Sequence, residues 1–423
     1  MTRINGDFGP MLRKSFCLLV FLTSTAIAAD QKPASDLFSS IPDQSKVKDE
    51  AIEITVPKGL PPLTPNAVVP ASNPMTAGKL DLGKQLYFDP RVSANGTVSC
   101  ATCHNPAKGW TDNLPLTIGI GGAVNGRNSP TVLNTVYSKQ MFWDGRAPSL
   151  EAQAQGPVQA ATEMGNQTHA QIIERLRTIP GYREQFMKVF GTDVNLDGFA
   201  KDVAAFERTA LSGNSKYDQY AAGDMKALSE SAKRGMVLFG LRLDFEDEYQ
   251  PKDVVLKKAN CSSCHIGVNF SDDQFHNLGV GADKDGKLAD LGRWNAEPVG
   301  AKNSASIGAF KTPILRDITR TAPYMHDGSE ATLEAVVEFY NKGGNANPYL
   351  SKDIKPLNLT DQEKKDLVEF MKALDGQVVP VALPKLPAGP DGTSPDPAAA
   401  LAVPTATKAA AAARSPHNLL IGD

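Results

Sequence analysis

The sequence predicts a mainly α-helical protein of two domains with little β structure, each domain organised around its own copy of one short motif. Three observations carry that prediction. The pattern C-x-x-C-H occurs twice, in "CATCH" (Cys100–His104) and in "CSSCH" (Cys261–His265), and each copy follows a segment with helical spacing. Alternating apolar and polar runs, the mark of half-buried strands, are scarce. At 423 residues the chain is longer than one core usually absorbs.

The elements follow in chain order. Arg13 and Lys14 precede an apolar run, Phe16–Ala28, that ends in the small-residue pattern Ala26-Ile27-Ala28. This is the form of a cleaved export signal covering 1–28, with Met11 as a candidate start and an uncleaved anchor as the competing reading. The run is short for a membrane span, and no later segment is apolar enough for one. Residues 29–75 are Pro-rich and read as an extended leader. The first domain is expected over 76–225. It opens with a helix at Ala77–Phe88, where Leu80, Gly83, Lys84 and Tyr87 share a face. A long loop rich in Gly, Asn and Pro follows over 109–130. Two helices lie in "THAQIIERLRTIPGYREQFMKVFG", broken near Pro180-Gly181, and another spans Asp197–Leu211.

The second domain is expected over 226–378. "SESAKRGMVLFG" is a helix capped by Ser229. "SEATLEAVVEFYNKGG" is a helix stopped by Gly343-Gly344. "TDQEKKDLVEFMKAL" begins with a capping box, Thr360 with Glu363. The tail, 379–423, is rich in Pro and Ala without periodicity and is expected to be disordered.

Charge is balanced, 44 basic against 47 acidic residues, which argues against a nucleic-acid or anionic-membrane surface. Of five cysteines, Cys17 leaves with the signal, and the other four all belong to the two motifs. C-x-x-C-H is the attachment pattern of c-type haem. Two thioethers must reach two vinyl groups on one porphyrin edge, and the next residue then supplies an imidazole to the iron. Cys100, Cys103 and His104 therefore hold one haem c, and Cys261, Cys264 and His265 a second. A thioredoxin-like pair would need a βαβ context that is missing. A four-cysteine zinc site would leave both histidines as coincidences, and disulfides across such short spans would be strained.

Beyond these motifs, "LGKQLYFDPRVSANGTVSCATCH", "GRNSPTVLNTVYSKQMFWDGRAPSLEAQAQGPVQ", "EMG" and "KTPILRDITRTAPYMHDG" resemble the bacterial dihaem cytochrome c peroxidase and MauG family, over about residues 78–374. The resemblance implies two c-type cytochrome domains, a peroxide-reactive first haem and an electron-handling second haem. It implies distal positions for Gln153, Pro157 and Glu163, an aromatic bridge at Trp143, and a calcium ion at Asn128 with the carbonyls of Thr321 and Pro323. His326 matches a position near the second haem. Taken without that context, Glu163 reads as a helix-cap acid, Gln153 as a solvated polar residue and Trp143 as a core aromatic.

Two departures from the better-known members matter. The histidine that ligates their first haem is replaced by Ile120, and no histidine lies between His104 and His169. The first iron is therefore expected to lack a sixth protein ligand. The methionine that ligates their second haem is replaced by Tyr340, with Met325 as the competing ligand. Leu333, Val336, Val337 and Tyr340 share a helical face. A thioether raises the potential, whereas an anionic phenolate favours higher oxidation states, so the Tyr340 assignment implies a store for oxidising equivalents.

The function expected is reduction of hydrogen peroxide to water in the periplasm, with electrons from a small periplasmic cytochrome c or cupredoxin. The alternatives are oxidation of a partner protein's side chains, as in MauG, and electron carriage without catalysis. A homodimer stays open. His169, His276 and His417 read as surface or hydrogen-bonded residues.

Overall fold

The computed structural model describes residues 49–65, 68–242 and 254–407. The expected export signal, 1–28, lies outside the described residues. The first haem motif is preceded by α1 (Ala77–Phe88), whose N-cap Thr76 accepts from the Lys79 amide, and forms α2 (Cys100–Cys103). After a long loop come α3 (Leu150–Gln159), α4 (His169–Arg177), α5 (Pro180–Phe190) and α6 (Leu196–Glu207). Pro180 starts α5, where its missing N–H costs nothing.

A short strand β1 (Ser212–Gly213) and α7 (Lys216–Ala221) lead into the second half. There α8 (Glu230–Phe239) is capped by Ser229, and the second haem motif follows as a 3-10 turn, Cys261–Ser263. Then come β2 (Phe275–His276), α9 (Arg293–Ala296), β3 (Phe310–Lys311), α10 (Leu333–Asn341), α11 (Asp361–Lys372) and β4 (Gln377–Val378). Thr360 and Glu363 make the expected capping box on α11. Strand is confined to two antiparallel ladders among the described residues, β1 with β4 and β2 with β3.

The described residues belong to one compact unit, and inside it the apolar core falls into two main clusters. The first gathers buried residues between Leu82 and Ala210, the second between Tyr220 and Leu374. Each is organised by one helix crossing. In the first, a Cβ added to Gly83 on α1 would sit 1.9 Å from the Asp202 carbonyl oxygen and 3.1 Å from Phe206 Cβ on α6. In the second, a Cβ on Gly235 of α8 would sit 2.0 Å from the Asp366 carbonyl oxygen and 2.8 Å from Phe370 Cβ on α11. Only glycine lets the backbones approach that closely.

The repeat reaches well past the haem motifs. Asn128–Pro157 and Lys311–Tyr340 carry the same backbone features at the same positions. Asn134 and Asp317 both have φ 57°, Phe142 and Met325 have φ 69° and 71°, and Gly145 and Gly328 have φ 65° and 66°. The bridge Met141–Ala147 matches Tyr324–Glu330, and the N-caps Ser149 of α3 and Thr332 of α10 coincide. The two segments also hydrogen-bond reciprocally. The Asn128 amide donates to the His326 carbonyl at 2.7 Å, and the Lys311 amide donates to the Trp143 carbonyl at 2.7 Å. Asn128 corresponds to Lys311 and Trp143 to His326, so the halves meet through equivalent atoms, as across a two-fold axis.

Two expectations need correction. The helix expected over Asp197–Leu211 spans Leu196–Glu207, because the chain turns at Thr209–Ala210 to pair Ser212 with Val378. The tail expected to be disordered packs against the first half over 379–407: Leu386 is 2% and Ala400 1% exposed, and the Arg91 guanidinium donates to the Pro387 carbonyl at 2.9 Å. Single apolar residues docking at wide spacing leave no periodic signal, and prolines restrict the unfolded chain enough to make such docking inexpensive.

Candidate functional site

In the second half, a cavity of about 280 Å³ is lined by Cys261, Cys264, His265, Met325, His326 and Tyr340, among largely apolar neighbours. His265 Nδ1 lies 2.8 Å from the Phe270 carbonyl oxygen. That contact fixes Nδ1 as the protonated nitrogen and leaves Nε2 as the free donor pair, the arrangement a metal-binding imidazole needs. Burial pushes the imidazole's proton affinity down, which keeps it neutral and able to ligate. Phe270 has φ 53°, a left-handed conformation that turns its carbonyl back to the ring.

The first half builds the same device. His104 Nδ1 is 3.3 Å from the Trp110 carbonyl oxygen and 3.3 Å from Ser129 Oγ, and Trp110 has φ 61°. Burial likewise lowers the His104 pKa. The Tyr87 hydroxyl donates to the His104 carbonyl at 3.0 Å. Tyr87 meets Phe206 at 5.1 Å between ring centroids, and Phe239 meets Phe370 at 5.1 Å in the second half.

Gln153 and Pro157 lie on α3. The chain then folds back on the end of that helix: the amides of Met164, Gly165 and Asn166 donate to the carbonyls of Pro157, Ala160 and Val158. Glu163 sits in this turn. Its pKa is raised, chiefly because burial disfavours the carboxylate, with the Arg146 guanidinium working the other way. Burial is the main cause of the raised pKa of the Cys103 and Cys100 thiols, and Glu163 adds to both, so its carboxyl is within electrostatic reach of both haem-attachment sulfurs. The Ile120 amide donates to the Glu163 carbonyl at 2.9 Å, so the residue in the histidine's position braces the acid's own backbone.

The repeat relates the two halves residue by residue. The position occupied on α10 by Tyr340 is occupied on α3 by Pro157, which has no donor atom on its side chain. Tyr340 lines the cavity beside the second haem motif. Burial, with Cys261 and Cys264 nearby, raises its pKa, so this phenol would ionise only with a cation close by to stabilise the phenolate. Met325 lines the same cavity from the position of Phe142.

Trp143 stands where the halves meet. Its Nε1 donates to the Asn128 carbonyl at 2.9 Å, and its ring meets His326 edge-on at 6.5 Å. His326 stacks on Phe310 at 3.6 Å, and burial lowers its pKa to about 4. Arg127 binds Asp144 at 2.6 Å and Asp290 at 2.7 Å beside them. The Asn128 side chain donates through Nδ2 to the carbonyl oxygens of Leu114 at 2.7 Å and Pro323 at 3.5 Å. The histidines left without a role are hydrogen-bonded where described: His169 Nε2 lies 2.9 Å from the Gln155 carbonyl oxygen and His276 Nε2 3.0 Å from Asp272 Oδ2, while His417 lies outside the described residues.

Residues 77–226 match the family model described as di-haem cytochrome c peroxidase, CCP_MauG. The chain is 41% identical over 320 residues to the methylamine utilization protein MauG of Methylorubrum extorquens, covering 75% of this chain and 84% of that protein. The chain belongs to the di-haem cytochrome c peroxidase and MauG family. Within the family it is also 36% identical over 320 residues to the cytochrome c551 peroxidase of Nitrosomonas europaea, covering 75% of this chain and 86% of that one. The crystal structure of a MauG-like protein associated with microbial copper homeostasis superposes with a TM-score of 0.65 at 32% identity, over 76% of this chain and 95% of that one. Membership makes the chain an oxidoreductase carrying two c-type haems. The residues present fit those haems: two pairs of free thiols stand beside two neutral, oriented imidazoles, one pair opening on an apolar cavity. No helix among the described residues is long and apolar enough to cross a membrane.

Reading the sequence alone missed the repeat between Asn128–Pro157 and Lys311–Tyr340. The signals were there: "FWDGRAPSLEA" set against "MHDGSEATLEA", and Asp202 with Phe206 set against Asp366 with Phe370.

Proposed function

We propose that the protein is an exported peroxidase that reduces hydrogen peroxide to water at the haem held by Cys100, Cys103 and His104. When bound, that haem supplies an iron that binds peroxide and passes it two electrons; two protons complete two waters. Glu163 would move a proton from the inner to the outer peroxide oxygen, a task suited to a carboxyl whose pKa burial raises. Gln153 would donate a hydrogen bond to the peroxide substrate. Ile120 and Pro157 offer no side-chain donor, so peroxide meets no protein ligand it must displace.

Tyr340 and His265, which line one cavity, would hold the iron of the second haem; that haem would supply a store for oxidising equivalents, with Trp143 bridging to the first half. Electrons come from a small periplasmic cytochrome c or cupredoxin. Asn128, with the carbonyls of Thr321 and Pro323, holds a calcium ion where the halves join; a carbonyl-rich site of this kind suits a hard cation. The two motif-bearing halves, 76–225 and 226–378, act as the two cytochrome domains. The observation that carries this reading is Glu163, partly buried and within electrostatic reach of both first-haem thiols. Glu163→Gln should slow the reaction of the ferric protein with peroxide about 10²–10⁴-fold in stopped flow while both haems stay attached; an unchanged rate removes Glu163 from the mechanism.

A second reading has one observation in its favour, the 41% identity to a MauG protein. Here the same oxidising equivalents would be drawn from a partner protein's side chains. Turnover with a reduced small cytochrome supports the first reading. Covalent change in a co-expressed partner supports the second.

A further inference from the structure

The C-terminal segment 379–407 leaves β4 and crosses the first half to end at its haem site. Three anchors mark its course. Pro387 packs on the start of α5, 2.7 Å from where a Cβ on Gly181 would lie, and its carbonyl accepts from Arg91. The turn Ala399–Leu401 then lies on the haem-attachment helix α2, with Ala400 buried and Leu401 packed on the first core cluster. There the hydroxyl of Thr102, inside the CATCH motif, donates to the Ala400 carbonyl at 2.6 Å and accepts from the Ser99 amide at 2.9 Å. Finally, the Thr407 amide donates to the Gly122 carbonyl at 3.2 Å, and a Cβ on Gly122 would lie 2.3 Å from the Thr405 carbonyl oxygen.

Gly122 belongs to the loop that carries Ile120, and that loop is joined to the catalytic turn. The Ile120 amide donates to the Glu163 carbonyl, a Cβ on Gly119 would lie 2.0 Å from the Thr162 carbonyl oxygen, and the Asn125 side chain donates to that same carbonyl at 3.2 Å. The terminal segment therefore touches the first haem site twice, on the attachment helix through Thr102 and on the Glu163 side through Gly122.

We propose that residues 398–407 are a positioning element of the first haem pocket: they clamp the loop Gly119–Ala123 against the Glu163 turn, with Thr102 and Gly122 as the two anchor points. The inference deepens the peroxidase reading and rests on it only for its effect on activity. Its physical content is that the loop, held by its own turn bonds and by the Glu163 turn, opens locally more often when the outer layer packed on Gly122 is removed. With the loop loosened, water reaches Glu163 and its carboxyl returns toward its ordinary pKa.

The test compares the full-length holoprotein with a chain ending at Pro397 and with Thr102→Val, Thr102→Ser and Gly122→Ala. Amide hydrogen exchange at residues 119–123 should speed up about tenfold or more in the shortened chain, in Thr102→Val and in Gly122→Ala, and stay at the full-length rate in Thr102→Ser, which keeps the hydroxyl. The acid limb of the peroxide reaction should move to lower pH in the same three variants, while the second haem's spectrum and potential stay fixed. Should the shortened chain not fold, the single substitutions carry the comparison. Unchanged exchange at 119–123 overturns the clamp. Faster exchange together with a Glu163→Gln variant of normal rate leaves the clamp standing and removes the acid–base reading instead.

Discussion

In the first half, Tyr87, Phe206 and Trp110 enclose the CATCH helix, and the Trp110 carbonyl orients His104. In the second, Phe239, Phe370 and Phe270 take the same places around CSSCH, and the Phe270 carbonyl orients His265. The same glycine crossing joins α1 to α6 and α8 to α11. Against that shared background the differences stand out at the faces opposite the histidines. Where α10 places a phenol in its cavity, α3 places Pro157, and an acid follows it in the turn at Glu163. The comparison teaches that one scaffold can serve two irons differently through very few side chains. The attachment motifs and the carbonyls that orient their histidines are duplicated, and on the proposed reading reactivity is assigned by α3 and the turn at Glu163.

The largest expected effect comes from making the first pocket resemble the second. Ile120→His should supply an imidazole to the first iron, turning its ferric high-spin signature low-spin and sharply lowering the peroxide rate, because the reaction needs an open coordination position. A spectrum that stays high-spin would show that this loop does not face the iron. The converse change sharpens the second site. Tyr340→Met should raise that haem's potential by a sizeable part of the roughly 0.8 V range that axial ligands span. If the wild type already shows a sulfur-to-iron charge-transfer band, Met325 is the ligand and the substitution will leave the potential near its starting value.

The pH dependence follows from burial. Glu163 has a raised pKa, so as a base it is competent above that value and is lost as pH falls through it. The peroxide rate should therefore show an acid limb above the ordinary carboxylate range, about pH 4.3, and Glu163→Gln should abolish it. A limb at or below that range would mean that water reaches the carboxyl freely.

The shared scaffold makes a smaller, symmetrical prediction. Gly83→Ala and Gly235→Ala each force a Cβ against a carbonyl oxygen of the facing helix. Each should cost about 1–3 kcal/mol in denaturant unfolding of the holoprotein. Costs that differ severalfold would break the equivalence of the two crossings. The smallest effect is local: Thr360→Ala removes the α11 cap and should cost about 1 kcal/mol with no change in either haem spectrum.

Much of this was legible in the residues. The haem motifs, the helix at Ala77–Phe88 and the capping box at Thr360 rest on local chemistry, which the sequence carries directly. The repeat of Asn128–Pro157 in Lys311–Tyr340 was harder to see because its strongest constraints are backbone angles. Asn134 and Asp317, or Phe142 and Met325, share a conformation without sharing a side chain. The reciprocal bonds of Asn128 and Lys311 were invisible because main-chain donors leave no mark on residue type. The docked tail was misread because low periodicity resembles disorder, while its anchors are the Pro387 and Ala400 carbonyls, the Thr407 amide and isolated apolar residues such as Leu386.

Electron paramagnetic resonance of the untreated ferric protein tests the contrast most directly. One high-spin and one low-spin iron are expected, the high-spin signal vanishing in Ile120→His and the low-spin signal changing in Tyr340→Met. Two low-spin irons in the untreated protein would mean that a side chain already closes the first pocket, and the proposed division of labour between Pro157 and Tyr340 would fall.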